Sequence, residues 1–179
     1  QYLSGEATYG AHSGEVIHED LLADYAAYLR SLVALDSIRP LRVVVDAANG
    51  MAGHTVPAVL QESAGLAALP LEVTPLYFEL DGSFPNHEAN PLEPANLVDL
   101  QRAVVEHGAD IGLAFDGDAD RCFVVDNLGN PVTPSAVAAM VAKREIIRVR
   151  DAGENGDITV IHNLICSRTV ADVITENGG

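Results

Sequence analysis

The sequence has no tryptophan, only two methionines and only two cysteines among its 179 residues. Cys122 and Cys166 form neither a disulfide framework nor a Cys-x-x-Cys metal motif. We expect both to be reduced core thiols of a cytoplasmic protein, since unpaired cysteine is among the most buried residue types. The sequence shows no signal peptide and no apolar run of about 20 residues, so it predicts no membrane segment.

Basic residues are also scarce, with 10 Lys and Arg against 26 Asp and Glu, which gives a formal net charge of −16. Such a charge argues against nucleic acid and against an anionic membrane surface as partners. Hydrophobic residues make up 48% of the chain and charged residues 20%, a composition typical of a globular protein with a buried core.

Apolar periodicity predicts alternating strands and helices, and hence an α/β fold. The fold class that we expect is a mainly parallel sheet flanked by helices, an α/β/α sandwich, with an antiparallel edge hairpin. The predicted strands are residues 41–47, 71–78, 111–115, 122–126, 131–132 and 158–162, and the predicted helices start near residues 19, 53, 94, 134 and 168.

Three carboxylates follow the apolar run at residues 111–115 on alternate positions, as Asp116, Asp118 and Asp120. Left bare in one small volume they would repel one another, and a hard divalent cation such as Mg²⁺ or Ca²⁺ removes that cost. Arg121 follows directly, a permanent cation suited to a phosphate or a carboxylate. A surface turn with solvated acids is the simplest alternative. An EF-hand is a poor fit, because its sixth and twelfth positions would be Arg121 and Asn127.

Residues 116–121, Asp-Gly-Asp-Ala-Asp-Arg, resemble the metal-binding loop of the α-D-phosphohexomutases, whose usual form is Asp-Gly-Asp-Gly-Asp-Arg. Ala119 is the one departure, of methyl size. Residues 43–53 and 81–91 resemble two further stretches of the same family, in the order and spacing of its second domain. The similarity covers roughly residues 25–179, nearly the whole chain.

The resemblance implies part of an enzyme that interconverts hexose 1-phosphate and hexose 6-phosphate, of mannose or glucose, through a phosphoserine and a bisphosphate intermediate. It implies that Asp116, Asp118 and Asp120 hold Mg²⁺ and that Arg121 is both catalytic and substrate-binding. The phosphorylated hexose and the missing domains of the same polypeptide are the implied partners. No segment resembles the phosphoserine loop or the sugar loop, so we expect this fragment alone to be inactive.

Composition and periodicity, together with the resemblance, divide the chain into a flexible lead-in (1–18), the metal-binding domain (19–152), and a linker with the truncated first β-α unit of the next domain (153–179). Two rival functions stay open. One is a haloacid-dehalogenase-like phosphatase, in which Asp116 would attack phosphate and Asp118 would assist. The other is a metal-binding interaction module without catalysis.

Each of two further features allows two interpretations. The turn at residues 49–53 leads into a helix, and it is either a phosphate site at the helix N-terminus or a compact strand-to-helix turn. His87, in a loop rich in Pro, Asn and Gly, either fixes that loop or faces solvent, or it has a pH-active role near the cleft.

Overall fold

The computed structural model describes residues 14–154 and 156–179. The strands and helices predicted between residues 19 and 151 are all present. In chain order the elements are α1 (Leu22–Leu32), β1 (Leu41–Asp46), α2 (Ala52–Leu60), β2 (Leu71–Leu76), a 3-10 helix (Pro94–Leu97), α3 (Val98–Glu106), β3 (Ile111–Phe115), β4 (Cys122–Asp126), β5 (Pro131–Val132), α4 (Pro134–Asp151) and α5 (Arg168–Glu176).

The five strands form one mixed sheet in the order β2-β1-β3-β4-β5. β1 runs parallel to both β2 and β3. The predicted β4–β5 hairpin forms the antiparallel edge. The antiparallel part begins one strand earlier than the hairpin, because β4 also runs antiparallel to β3. β3 is thus the central strand, and its carboxyl end lies at the same edge of the sheet as that of β1.

Helices cover both faces of this sheet. Val44 of β1 packs with Leu100 and Val104 of α3 on one face. Val43 and Val45 pack against α2 on the other face. Successive residues of a strand point to opposite faces, so a continuous run of valines satisfies two cores at once. All three valines are at most 3% exposed, which confirms the predicted buried parallel strand.

α1 packs on α2. Hydrogen bonds from Arg30 hold the two helices together, and most of the apolar face of α1 is not buried. The Arg30 guanidinium donates from Nε to the Val59 carbonyl at 2.7 Å and from Nη2 to the Gln61 carbonyl at 2.6 Å. Ala26 is the buried residue of this helix, while Tyr25 and Tyr28 stay exposed. Residues 14–18 of the predicted lead-in are irregular and exposed, and residues 1–13 lie outside the described residues.

The predicted strand at residues 158–162 is wrong for this structure, where the segment is irregular. A strand needs a neighbour to receive its hydrogen bonds, and none of the strands in the described ranges pairs with it. Ile161 remains 93% exposed. The helix predicted after Ser167 does form, and α5 packs on α4 through Val170 and Ile174.

The two cysteines are free, but they are not both in the core. Cys122 is exposed at the start of β4, where the strand leaves the acidic loop, and Cys166 is half-buried. The expectation of a core thiol is therefore wrong for Cys122. Among the described residues, no helix combines the length and apolar character needed to cross a bilayer.

We predict that Leu100→Ala lowers the free energy of unfolding by about 2–5 kcal/mol, because it removes a fully buried side chain between α3 and the sheet. Val98→Ala, on the exposed side of the same helix, is the matched control and should change it little. Urea unfolding followed by circular dichroism measures both. Equal effects of the two variants would contradict this packing.

Candidate metal centre

The acidic loop, residues 116–121, joins β3 to β4 at the carboxyl edge of the sheet. Its two ends are held together, because the Asp116 N–H donates to the Arg121 carbonyl at 3.3 Å. Within the loop the Ala119 N–H donates to the Asp116 carbonyl at 3.1 Å, and this turn requires a positive φ of 63° at Ala119. Left-handed backbone favours glycine, so the structure explains why glycine is the usual residue there in the family that the loop resembles.

Asp116 is a fully buried carboxylate, with 0% of the residue exposed. Its Oδ1 accepts from the Arg121 backbone N–H at 3.0 Å, and its Oδ2 accepts from Arg121 Nε at 2.6 Å. Burial acts to raise the pKa of Asp116, but the hydrogen bonds from Arg121 outweigh it and hold that pKa below the ordinary value. Asp116 is thus ionised at neutral pH.

Asp118 and Asp120 are exposed and lie next to Asp116. One carboxylate oxygen from each of the three residues lies within 4.8 Å of the others. Three such oxygens form a hard, anionic donor set, which suits Mg²⁺ or Ca²⁺ better than a softer transition metal. The residues present therefore fit a hard divalent cation, with Asp116 as the buried anchor and two flexible carboxylates at the surface.

Arg121 lies beside these carboxylates and is half exposed. Its closest approaches to Asp116 and to Asp120 are both through Nε, at 2.6 Å and 3.4 Å. With 53% of the side chain exposed, the outer face of the guanidinium is accessible to an anion from solvent. The arrangement brings an accessible cation and a donor set that could hold a metal ion to one point.

The strand-to-helix turn before α2 packs directly against the acidic loop. The Met51 N–H donates to the Gly117 carbonyl at 2.9 Å. A Cβ added at Gly50 would lie 2.7 Å from the same carbonyl oxygen, so this close approach requires glycine. The N–H groups of Gly53, His54 and Thr55 also donate to carbonyls within this turn. These contacts favour the compact turn over a phosphate site at this helix end.

His87 also lies against the sheet edge, where it contacts a buried residue that the sequence analysis did not single out. Its Nε2 is 3.0 Å from Oδ2 of Asp46, the last residue of β1 and 1% exposed. Here the interpretation of His87 as a residue that fixes its loop agrees with the structure. The signal for Asp46 was present in the sequence: like Asp116, it is a carboxylate at the carboxyl end of an apolar strand.

Comparison with known proteins identifies the family. The model described as "Phosphoglucomutase/phosphomannomutase, alpha/beta/alpha domain II" matches residues 23–129, more than half of the chain. The chain belongs to the phosphoglucomutase/phosphomannomutase family. The predicted resemblance and the predicted α/β/α architecture are both confirmed by this match.

Similar members of the phosphoglucomutase/phosphomannomutase family come from several bacteria. A phosphomannomutase/phosphoglucomutase of Pseudomonas aeruginosa is 38% identical over 93% of this chain and 33% of its own length. A phosphomannomutase of Vibrio cholerae is 35% identical over 89% of this chain and 33% of its own length. The crystal structure of a family protein from Burkholderia thailandensis matches with a TM-score of 0.76 and 32% identity, over 89% of this chain and 32% of that one. This phosphohexomutase chain thus spans about a third of the length of these relatives.

A Cβ at position 50 would lie 2.7 Å from the Gly117 carbonyl oxygen, which also accepts the Met51 hydrogen bond. We therefore predict that Gly50→Ala displaces the acidic loop of this phosphohexomutase chain. Overpacking against backbone should cost about 1–3 kcal/mol of the free energy of unfolding. Gly82→Ala is the control, since a Cβ at Gly82 meets nothing within 4 Å. Thermal unfolding and the amide NMR shift of Gly117 measure the effect. An unmoved Gly117 resonance in Gly50→Ala would contradict the close contact.

Proposed function

We propose that this chain is the metal-binding part of a phosphohexomutase that interconverts hexose 1-phosphate and hexose 6-phosphate of mannose, glucose or both. The route that we propose uses a phosphoserine enzyme and a bisphosphate intermediate, as the family resemblance implies. The observation that carries the proposal is the convergence of Asp116, Asp118 and Asp120 beside Arg121, at the end of the central strand of a chain in this family.

In this proposal Asp116, Asp118 and Asp120 hold Mg²⁺. When bound, the cation supplies Lewis-acid neutralisation of the charge on the phosphoryl group that is transferred. Asp116 fixes the position of the donor set, because the Arg121 backbone N–H and side-chain Nε hold both of its oxygens. Asp118 and Asp120 are exposed, and they adjust to the ligand at little cost to the fold.

Arg121 is the residue that we assign to the substrate. Its Nε contacts two carboxylates, while 53% of the side chain stays exposed. Its accessible outer face would bind a phosphate oxygen or a sugar hydroxyl, and it would stabilise negative charge there. In a chain of net charge −16, this local cation offsets part of the repulsion between the carboxylates and an anionic substrate.

The remaining parts of the site belong to the other two-thirds of the polypeptide. We propose that the phosphorylated serine, the loop that selects the sugar and further cationic phosphate contacts all lie there. Within the present chain we propose a lead-in (1–18), the metal-binding domain (19–152) and the beginning of a further domain (153–179). The exposed apolar segment around Ile161 supports this last assignment. A cytoplasmic location stays a prediction.

The phosphatase alternative is disfavoured by the surroundings of Asp116. A nucleophilic aspartate needs an accessible oxygen with a free lone pair directed at phosphorus. Asp116 is fully buried, and each of its oxygens accepts one hydrogen bond from Arg121, which leaves a second lone pair on each oxygen. A small cation can use that lone pair, whereas a phosphoryl group is too bulky to reach a fully buried oxygen, so Asp116 suits a cation ligand better than an attacking group.

We predict that the uninterrupted gene product, with Mg²⁺ and a trace of hexose bisphosphate, converts mannose or glucose 1-phosphate to the 6-phosphate. Asp118→Ala should lower turnover by about 100-fold or more, since it removes a ligand of a charge-stabilising cation. The fold should survive, because Asp118 is exposed. A coupled assay of 6-phosphate formation and far-ultraviolet circular dichroism measure the two effects.

Asp24→Ala, an exposed acid on α1, is the matched control and should leave turnover unchanged. Release of free phosphate without isomerisation would instead favour the phosphatase. Inertness on every hexose phosphate would leave a metal-binding module. An unfolded Asp118→Ala protein would contradict the exposed position of this ligand.

We also predict that the 179-residue chain alone turns over no hexose phosphate, because it holds no residues that resemble the phosphoserine loop or the sugar loop. The same assay, run on the pure chain at high enzyme concentration, tests this expectation. The full gene product at equal concentration is the positive control. Isomerisation by the chain alone would show that its own residues carry the complete reaction.

A further inference from the structure

The segment around His87 carries a buried polar pair that the proposed reaction does not use. His87 is 15% exposed, and Asp46 is 1% exposed. The Asp46 Oδ1 accepts from the Ala48 N–H at 2.9 Å, so Oδ2 is the oxygen that faces His87 Nε2 at 3.0 Å. A second hydrogen bond joins the same two segments: Asn86 Nδ2 donates to Asn49 Oδ1 at 2.8 Å. These two contacts join residues 46–49 to residues 86–87.

The imidazole orientation requires a proton between His87 and Asp46. His87 Nδ1 lies 2.9 Å from the Glu88 carbonyl, which only accepts, so Nδ1 must carry a hydrogen. A neutral imidazole with its hydrogen on Nδ1 presents a lone pair at Nε2, and an ionised Asp46 presents another. The 3.0 Å contact therefore needs one shared proton, whether it resides on the imidazole or on the carboxyl.

The surroundings of Asp46 act against its charged form. Burial raises the pKa of Asp46, although hydrogen bonds from Ala48 and His87 oppose the shift. Asp99 of α3 adds negative charge near the pair, and it is held by the Tyr77 hydroxyl at 2.6 Å and by Arg102 at 2.6 Å. The Tyr77 ring packs edge-on to the imidazole at 5.3 Å. Glu88 contacts His87 through its backbone carbonyl.

Both segments that this pair joins lie against Gly117 of the acidic loop. From one side, the Met51 N–H binds the Gly117 carbonyl and Gly50 packs on it. From the other side, a Cβ at Gly117 would lie 3.5 Å from the Phe84 ring and 3.6 Å from the Ala89 Cβ. Gly117 is thus enclosed between the turn after β1 and the loop that contains His87.

We propose that Asp46 and His87 form a positioning pair, which holds these two segments together around Gly117 and so sets the convergence of Asp116, Asp118 and Asp120. The metal part of this inference rests on the proposed function. No hydrogen bond or ion pair found in the described residues joins either residue to Asp116, Asp118 or Asp120. Their effect passes through the backbone of Gly117, and it depends on the hydrogen bond rather than on a charge.

Asp46→Asn removes the carboxylate charge but keeps the hydrogen bond to His87, so it distinguishes the effects of the two. The asparagine Oδ1 can still accept from Ala48, and its Nδ2 can donate to Nε2 of a neutral His87, so the contact survives with its proton fixed on the amide. His87→Leu keeps the bulk of the side chain and loses the contact. His54→Leu, on the exposed surface of α2, is the matched control.

The test records amide and imidazole nitrogen NMR shifts of the 179-residue chain and its variants, before and after addition of Mg²⁺. We expect the Gly117 and Met51 amide shifts to stay in place in Asp46→Asn and His54→Leu, and to move in His87→Leu. Raising the pH until the pair loses its proton should move them in the wild type but not in Asp46→Asn. The affinity for Mg²⁺ should fall roughly tenfold in His87→Leu and stay unchanged in Asp46→Asn.

Gly117 shifts that are unmoved in a folded His87→Leu protein, or equally moved in both variants, would overturn the positioning pair. If His87→Leu does not fold, the pH comparison between wild type and Asp46→Asn still decides, and a matching response of Gly117 in both would overturn the proposal. A wild-type chain that shows no response to Mg²⁺ would contradict the proposed metal function of the isolated chain, whereas the amide shifts would still decide on the pair.

Discussion

The ion pair between the buried Asp116 and the half-exposed Arg121 is the interaction on which the candidate site depends. A lone carboxylate at 0% exposure would cost several kcal/mol or would take up a proton. The Arg121 backbone N–H and Nε satisfy one oxygen each, so the acid stays ionised inside the protein. The same contacts close the acidic loop into a tight turn, which brings Asp118 and Asp120 beside the buried anchor.

The turn after β1 is the second constraint on this site. On the β1 side, Gly50 packs against the Gly117 carbonyl and the Met51 N–H donates to it. The loop that contains His87 packs against Gly117 from the other side. Three parallel strands, β1, β2 and β3, end at one sheet edge and place these segments together, although they are far apart in the sequence. The site therefore belongs to the sheet edge as a whole rather than to the acidic loop alone.

The sequence anticipated the parts of the fold that local physics decides. The valine run of β1, the hairpin of β4 and β5 and the start of α4 at residue 134 all follow from side-chain pattern and turn chemistry. The prediction at residues 158–162 was wrong because a strand also needs a partner, and periodicity says nothing about whether one is present. The exposed Tyr25 and Tyr28 of α1 illustrate the same limit, since an apolar face predicts burial but does not supply the surface that covers it.

By itself the sequence determined the family, the acidic loop and the hard-cation chemistry that the loop predicts, because consecutive residues carry all of that information. Only the tertiary structure decided that Asp116 is buried and paired with Arg121 while Asp118 and Asp120 are exposed, that the α2 turn packs on Gly117, and that His87 meets Asp46. Burial and proton sharing depend on which distant segments come together. That depends on the strand order β2-β1-β3-β4-β5, which no single stretch of the chain encodes.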